Sequence, residues 1–308
     1  MARGFRNRGI VDWIGVERRP LRMTVPEFPI VFENADLLVI NKPAGLVCHP
    51  TKNGPLSSLI GRLRLYLGDE AEIHMINRLD RETSGLVMVA KDLGSAGFLR
   101  RCWERRLVKK VYIALVHGHP DQSEFENDGP LGKDEASEVT VKDCVREDGA
   151  PSLTKFQVLQ RITWDDEPFS LVEARPMSGR KHQIRIHLSH SGFPIVGDKL
   201  YGIVPGAYLD VCMGRLSDDQ RTALRLGNHA LHAMSLELPL LKESHRMIAP
   251  IDASLREFCV RAGIEGKWLP VDTDFDERLG TSFRAAVDRE QEEIQLAKRS
   301  SWSGSRRK

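Results

Sequence analysis

Asn77-Arg78-Leu79-Asp80-Arg81-Glu82-Thr83-Ser84-Gly85 runs without a break into Leu86-Val87-Met88-Val89-Ala90 and Lys91. A loop dense in charge and hydroxyls thus feeds an apolar run of strand length. Asp80 lies between Arg78 and Arg81, cations that favour the ionised carboxylate a nucleophile or general base requires at neutral pH. On these residues alone, a salt-bridged loop whose turn is satisfied by Thr83 and Ser84 is the simpler account.

Outward from this stretch, Ile30-Val31-Phe32, a turn at Asn34-Ala35-Asp36 and Leu37 to Ile40 predict a hairpin leading into Lys42-Pro43-Ala44-Gly45. Further strands are expected at Val111 to Val116, along Val139, Val141 and Val145, at Phe156 with Val158, and at Leu171 to Ala174. Ser95 to Arg106 predicts a helix with Phe98, Leu99 and Cys102 on one face. His182 to Ser191 predicts another, stopped at Gly192. The pattern is α+β rather than a regular βαβ alternation. Residues 203–229 are expected to be irregular, with one short helix around Ser217 to Leu226.

The 308 residues are expected to divide into a basic N-terminal arm over 1–24, a folded domain over 25–265 and a charged C-terminal extension over 266–308. The arm carries Arg3, Arg6, Arg8, Arg18, Arg19 and Arg22 and is expected to be flexible. In the extension an acidic patch precedes a solvated helix from Ser282 to Lys298. A hydrophobic fraction of 41% and a charged fraction of 29% describe an ordinary globular chain. No apolar run has the length that spans a bilayer, and Asp12 breaks the stretch Ile10 to Val16, so a cytoplasmic location is expected. The five cysteines are scattered without a close pair, which reads as reduced thiols. The net charge of +2 decides nothing, because attraction to phosphate depends on where charge lies.

Two further stretches carry chemistry. In Pro176-Met177-Ser178-Gly179-Arg180-Lys181-His182-Gln183-Ile184-Arg185-Ile186-His187 a strand meets a turn and then a helix. Exposed backbone N–H groups, Arg180 and Lys181 converge there as a phosphate site would need, with Gly179 permitting close approach; a capped helix with a solvated basic first turn fits equally. The spacing of His182, His187 and His190 matches no zinc motif, and no metal is expected. In Lys110 to Gly118, Tyr112 is the one aromatic of an aliphatic strand, placed to pack in a core or against a base. Arg100, Arg101, Arg105, Arg106, Lys109 and Lys110 form the densest basic run.

Taken together, these segments resemble the RluA family of RNA pseudouridine synthases, whose signature is an H-R-L-D-x-x-T-S-G-L loop and strand. Asn41-Lys42-Pro43-Ala44-Gly45-Leu46 with His49-Pro50, then Lys110-Val111-Tyr112, Ser178 through Gly192, Pro194-Ile195, Gly197-Asp198, Tyr201-Gly202 and Leu231-His232-Ala233 follow in the family's order. The match spans roughly Phe28 to Pro239. Asn77 stands where histidine is usual, and Ser178 where threonine is usual. No N-terminal S4-type domain is expected, because the region before Phe28 is short and poor in apolar residues.

The resemblance implies an α+β pseudouridine synthase fold: a large, mainly antiparallel mixed sheet flanked by helices and loops, with a cleft across its middle. It implies an isomerase that breaks and re-forms the glycosidic bond of uridine in ribosomal or transfer RNA. Asp80 would be the catalytic acid, Arg185 its partner, Tyr112 the ring against uracil, and Arg78 the side chain filling the space of the flipped nucleotide. Arg81, Thr83, Gly179, Arg180, His182 and Gln183 would contribute to substrate binding. No cofactor, no obligate protein partner and a monomer are expected. A catalytically inactive RNA-binding protein of the same fold is one alternative. A carboxylate-dependent nucleoside hydrolase is another, needing a second acid for which Glu82 is the neighbour in sequence.

Overall fold

The computed structural model describes residues 28–50, 55–68, 70–264, 266–270 and 272–304; the basic arm expected over 1–24 lies outside them. Strands β1 (Ile30–Glu33) and β2 (Leu37–Lys42) form the expected hairpin, closed by Asn34 Oδ1, which accepts from the Asp36 and Leu37 N–H groups. All of β2 is buried. Its alternate residues feed different cores, Leu38 and Ile40 one and Leu37 and Val39 another. Burial on both faces explains why its sequence is a continuous apolar run rather than an alternation.

Helix α1 (Leu59–Leu67) is capped by Ser58, and β3 (His74–Met75) leads into the polar loop and then β4 (Ser84–Ala90), which is buried throughout. Helix α2 (Leu93–Glu104) starts from Asp92, whose carboxylate accepts from the Ser95 N–H. It stops before Arg106 because that residue turns left-handed at φ 58°, while the Leu107 N–H closes onto the Cys102 carbonyl. Strand β5 (Lys109–His117) follows. Beyond β6 (Glu124–Asn127) lie the short hairpin strands β7 (Leu131–Lys133) and β8 (Asp143–Val145). Val139 and Val141 were expected in a strand but lie in the turn between these two, where the Lys142 N–H bonds to the Val139 carbonyl.

The long hairpin β9 (Thr154–Trp164) and β10 (Glu167–Pro176) leads to α3 (Gln183–His190), which begins only after His182 adopts a left-handed φ of 56°. Two short helices, α4 (Ala207–Cys212) and α5 (Asp218–Leu224), occupy the segment in which one was expected. The chain ends through β11 (Leu231–Leu240), β12 (Glu243–Ile248), α6 (Ala253–Arg261), β13 (Asp274–Phe275) and α7 (Leu279–Gly304). The first turns of α7 are not solvated: Leu279, Phe283, Ala286 and Val287 recur at helical spacing and are buried against α2 and the sheet.

The sheet runs β1-β2-β4-β11-β5-β10-β9-β6, with β3, β12 and β13 attached beside it. Its neighbours are antiparallel except at its centre, where β4 and β11 run parallel through Ser84–His232 and Gly85–Ala233. Gly85 has φ +113°, and a β-carbon there would run into the Ala233 carbonyl. Only glycine fits that crossing. The polar loop therefore enters the sheet at its middle, between β2 and β11.

Candidate active site

Leu79 is sunk into the core, where its N–H meets the Cys48 sulfur at 3.4 Å. Asp80 follows, and the chain turns there, the Thr83 N–H donating to the Asp80 carbonyl. Three groups hold that turn. Lys42, wholly buried, donates from Nζ to the carbonyls of Pro43, Leu46 and Arg81 at 2.9, 2.9 and 3.2 Å. Burial pushes its amine down to about 8, partly offset by Cys48, Asp80 and Asp252. Thr83 Oγ1 lies 2.7 Å from His229 Nε2, and the Lys199 Nζ donates to Glu82 at 2.8 Å.

Asp80 faces Arg185 across 105 residues of sequence, the guanidinium Nη1 donating to Oδ2 at 2.9 Å. The same guanidinium gives Nε and Nη2 to Asp198 at 2.6 and 2.8 Å and lies 5.0 Å from the Tyr201 ring centre. Asp198 is fully buried and also accepts the Leu200 and Tyr201 N–H groups. Burial alone would raise the Asp80 carboxyl, but Arg185, then His182 and His229, outweigh it and hold it below the ordinary carboxylate range. Asp80 is thus charged at neutral pH, and its side chain keeps 30% of its surface accessible.

His182 Nε2 lies 3.8 Å from Asp80 Oδ2, while Nδ1 meets the Tyr201 hydroxyl at 2.9 Å. Burial lowers His182 to about 4, so the ring is neutral at pH 7. Tyr112 is raised by burial and by Asp80, and keeps its proton. Gln183 braces the turn before α3: its Oε1 accepts from the Ser178 hydroxyl and the Arg180 N–H, and its Nε2 donates to Leu153 O and Thr154 Oγ1.

Asp80, Arg185, Tyr112, Arg78, Thr83, Gly179, Arg180, His182 and Gln183 all line one cleft of about 340 Å³. Arg81 does not line it; its Nε turns to the Gly45 carbonyl. Among the described lining residues Asp80 is the sole carboxylate, facing Arg78, Lys110, Arg180 and Arg185. Glu82 is engaged by Lys199, and Asp198 by Arg185, so neither supplies a second free acid to the cleft. Lys42, Asp198, Lys199 and His229 were not singled out from sequence as part of this assembly. Lys42 and Asp198 did stand in the family's segments, and only burial reveals their work. No group of three or more His, Cys, Asp or Glu side chains arranged to hold a metal occurs among the described residues.

Residues 36–190 match the RNA pseudouridylate synthase family. This chain belongs to that family. It is 35% identical over 233 residues to the ribosomal large subunit pseudouridine synthase C of Pasteurella multocida, covering 75% of this chain and 67% of the relative. It is 39% identical over 180 residues to the dual-specificity RNA pseudouridine synthase RluA of Vibrio parahaemolyticus, covering 58% and 70%. The solved structure of human RNA pseudouridylate synthase domain containing 1 superposes with a TM-score of 0.60 at 28% identity, covering 85% of this chain and 97% of that one. As an RluA-family pseudouridine synthase, the chain is an isomerase that converts uridine in RNA to pseudouridine. The α+β fold and central cleft expected of the pseudouridine synthase accord with this membership. No helix among the described residues is long and apolar enough to cross a membrane.

Proposed function

We propose that the chain isomerises a uridine of ribosomal or transfer RNA, with Asp80 as the catalytic carboxylate. The observation that carries the reading is the Arg185 bridge, which keeps Asp80 ionised and aimed into a cationic cleft with no second free acid. In the isomerisation the N1–C1′ bond breaks, C5 joins C1′, a proton leaves C5 and one is gained at N1. Asp80 acts at C1′ or assists the cleavage; uracil turns within the cleft against the Tyr112 ring, and Arg78 enters the space the nucleotide leaves. One relative is named for the ribosomal large subunit and another for dual-specificity action on RNA, which supports RNA, ribosomal RNA included, as the substrate class. We further place the enzyme in the cytoplasm, acting as a monomer.

Asn77 makes hydrogen bonds to both Leu86 O and the Met88 N–H, and so does structural work in the position the family usually gives to histidine. That supports an intact catalytic loop over an inactive RNA-binding protein. A nucleoside hydrolase would require an activated water and a second acid, which the lining lacks. The test is pseudouridine mapping of total RNA from a deletion strain, complemented by wild type or Asp80→Asn. Asp80→Asn is expected to abolish the modification while RNA affinity stays within about threefold. Full restoration by the variant would remove Asp80 from the reaction; release of free uracil by wild type would move the chain to the hydrolases.

A further inference from the structure

The cleft extends past Asp80 to residues that isomerisation of one uridine does not employ. Lys110 and Tyr112 stand two apart on β5, so their side chains leave the same face, about 7 Å apart along the strand. Trp103, on the last turn of α2, lines the same cleft. It is half-buried, resting on the core beside Ile76.

The charges around this tryptophan are uncompensated. Lys110 donates from Nζ to the Ser178 carbonyl at 3.0 Å, and among the described residues it has no carboxylate partner. Burial, and secondarily the nearby Arg106 cation, push its amine down to about 8. Arg100, Arg105 and Arg106 also make no ion pair among the described residues, whereas Arg101 is paired to Glu290 and Lys109 to Glu237. Arg106 occupies the left-handed position after α2, at φ 58°, where glycine is the low-cost residue. Arg106 does not line the cleft itself but closes the end of α2, its N–H meeting the Trp103 carbonyl at 3.0 Å. A cation near half-buried Lys110, at a strained backbone position, is costly in the free protein. A bound anion offsets the electrostatic part of that cost.

We propose that Trp103, Lys110 and Arg106 form a second nucleotide subsite, in which a base adjoining the target uridine stacks on the indole and the phosphate between them is held by the two cations. The inference rests on the reading of this cleft as an RNA site and assigns it a second contact beyond the reacting nucleotide. An indole accepts any base face, so the subsite supplies affinity and register rather than sequence preference. Its cations are phosphate contacts, which position a strand without reading it.

The test uses the full-length enzyme and a synthetic RNA stem-loop with one uridine in its loop, together with copies carrying an abasic residue at either neighbour. Trp103→Ala is expected to raise KM about 5- to 100-fold, and Trp103→Phe by less than about threefold, the loss falling on KM rather than kcat. The Trp103→Ala penalty should vanish on the RNA that lacks one particular neighbouring base. Arg106→Gly removes the backbone strain, so its melting temperature should not fall, yet its KM should rise. Quenching of tryptophan fluorescence on binding should be lost in Trp103→Phe, a readout independent of turnover. An equal Trp103→Ala penalty on all the RNAs, or an unchanged KM in Arg106→Gly, overturns the subsite. If Trp103→Ala fails to fold, the Trp103→Phe quenching comparison and Arg106→Gly decide. Failure of the wild type to make pseudouridine in total RNA defeats the functional reading separately.

Discussion

Arg185 gives two guanidinium nitrogens to Asp198 and the third to Asp80, so Asp80 shares its partner with a deeper acid that holds that partner still. Asp198→Asn keeps the shape and the acceptor for the Leu200 and Tyr201 N–H groups but replaces one anionic oxygen with a donor facing the guanidinium. Expected results are a fall in kcat of about 10²-fold and a destabilisation of about 1–3 kcal/mol, read by single-turnover kinetics and guanidinium unfolding. Wild-type values in both would show that Asp198 does not position Arg185.

Three histidines set a pH dependence of stability. Burial holds His182 and His232 down at about 4 and His229 at about 3, against 6.5 unperturbed. From pH 6.5 down to about 4 the unfolded chain therefore takes up protons that the native fold refuses, and unfolding free energy falls as pH falls. Urea midpoints should be lower at pH 5 than at pH 7.5, and His232→Gln should flatten part of the slope. Asp80, lowered below its ordinary value, acts in the same direction but only under about pH 4. A midpoint that rises on acidification would contradict this account.

Asn77→Ala strands the Leu86 carbonyl and the Met88 N–H beside the central strand. The expected cost is about 1–3 kcal/mol of stability, with a smaller loss of turnover than Asp80→Asn causes. Calorimetry and the same RNA assay separate the two; a variant as stable as wild type but inactive would make Asn77 a participant in the chemistry.

How much of this was legible in sequence depends on what kind of signal each residue gives. Leu37 to Ile40 and Leu86 to Ala90 announce strands because both of their faces are buried, and α2 and α3 show their apolar stripes plainly. Of the three valines at 139, 141 and 145, the last joins strand β8, while turn hydrogen bonds keep the first two out of it. Asp80, Arg185 and Tyr112 could be named from motifs alone. Lys42 and Asp198 could not be given work, because a buried charge looks like an exposed one until its partners, distant in sequence, are known. Trp103 is not among the α2 residues that the apolar stripe picks out, and only the cleft brings it into view. The early turns of α7 were hidden by the charged residues around Phe283 and Val287.

The parallel seam between β4 and β11 has a consequence for when the enzyme can act. The polar loop opens the strand on one side of that seam, and Leu231 begins the strand on the other, about 150 residues later in the chain. During synthesis the nascent polypeptide exposes its acid long before the closing strand emerges, and contacts this distant form slowly. A half-made chain therefore presents no finished pocket to the transcripts around it, and competence arrives only with the last third of the polypeptide.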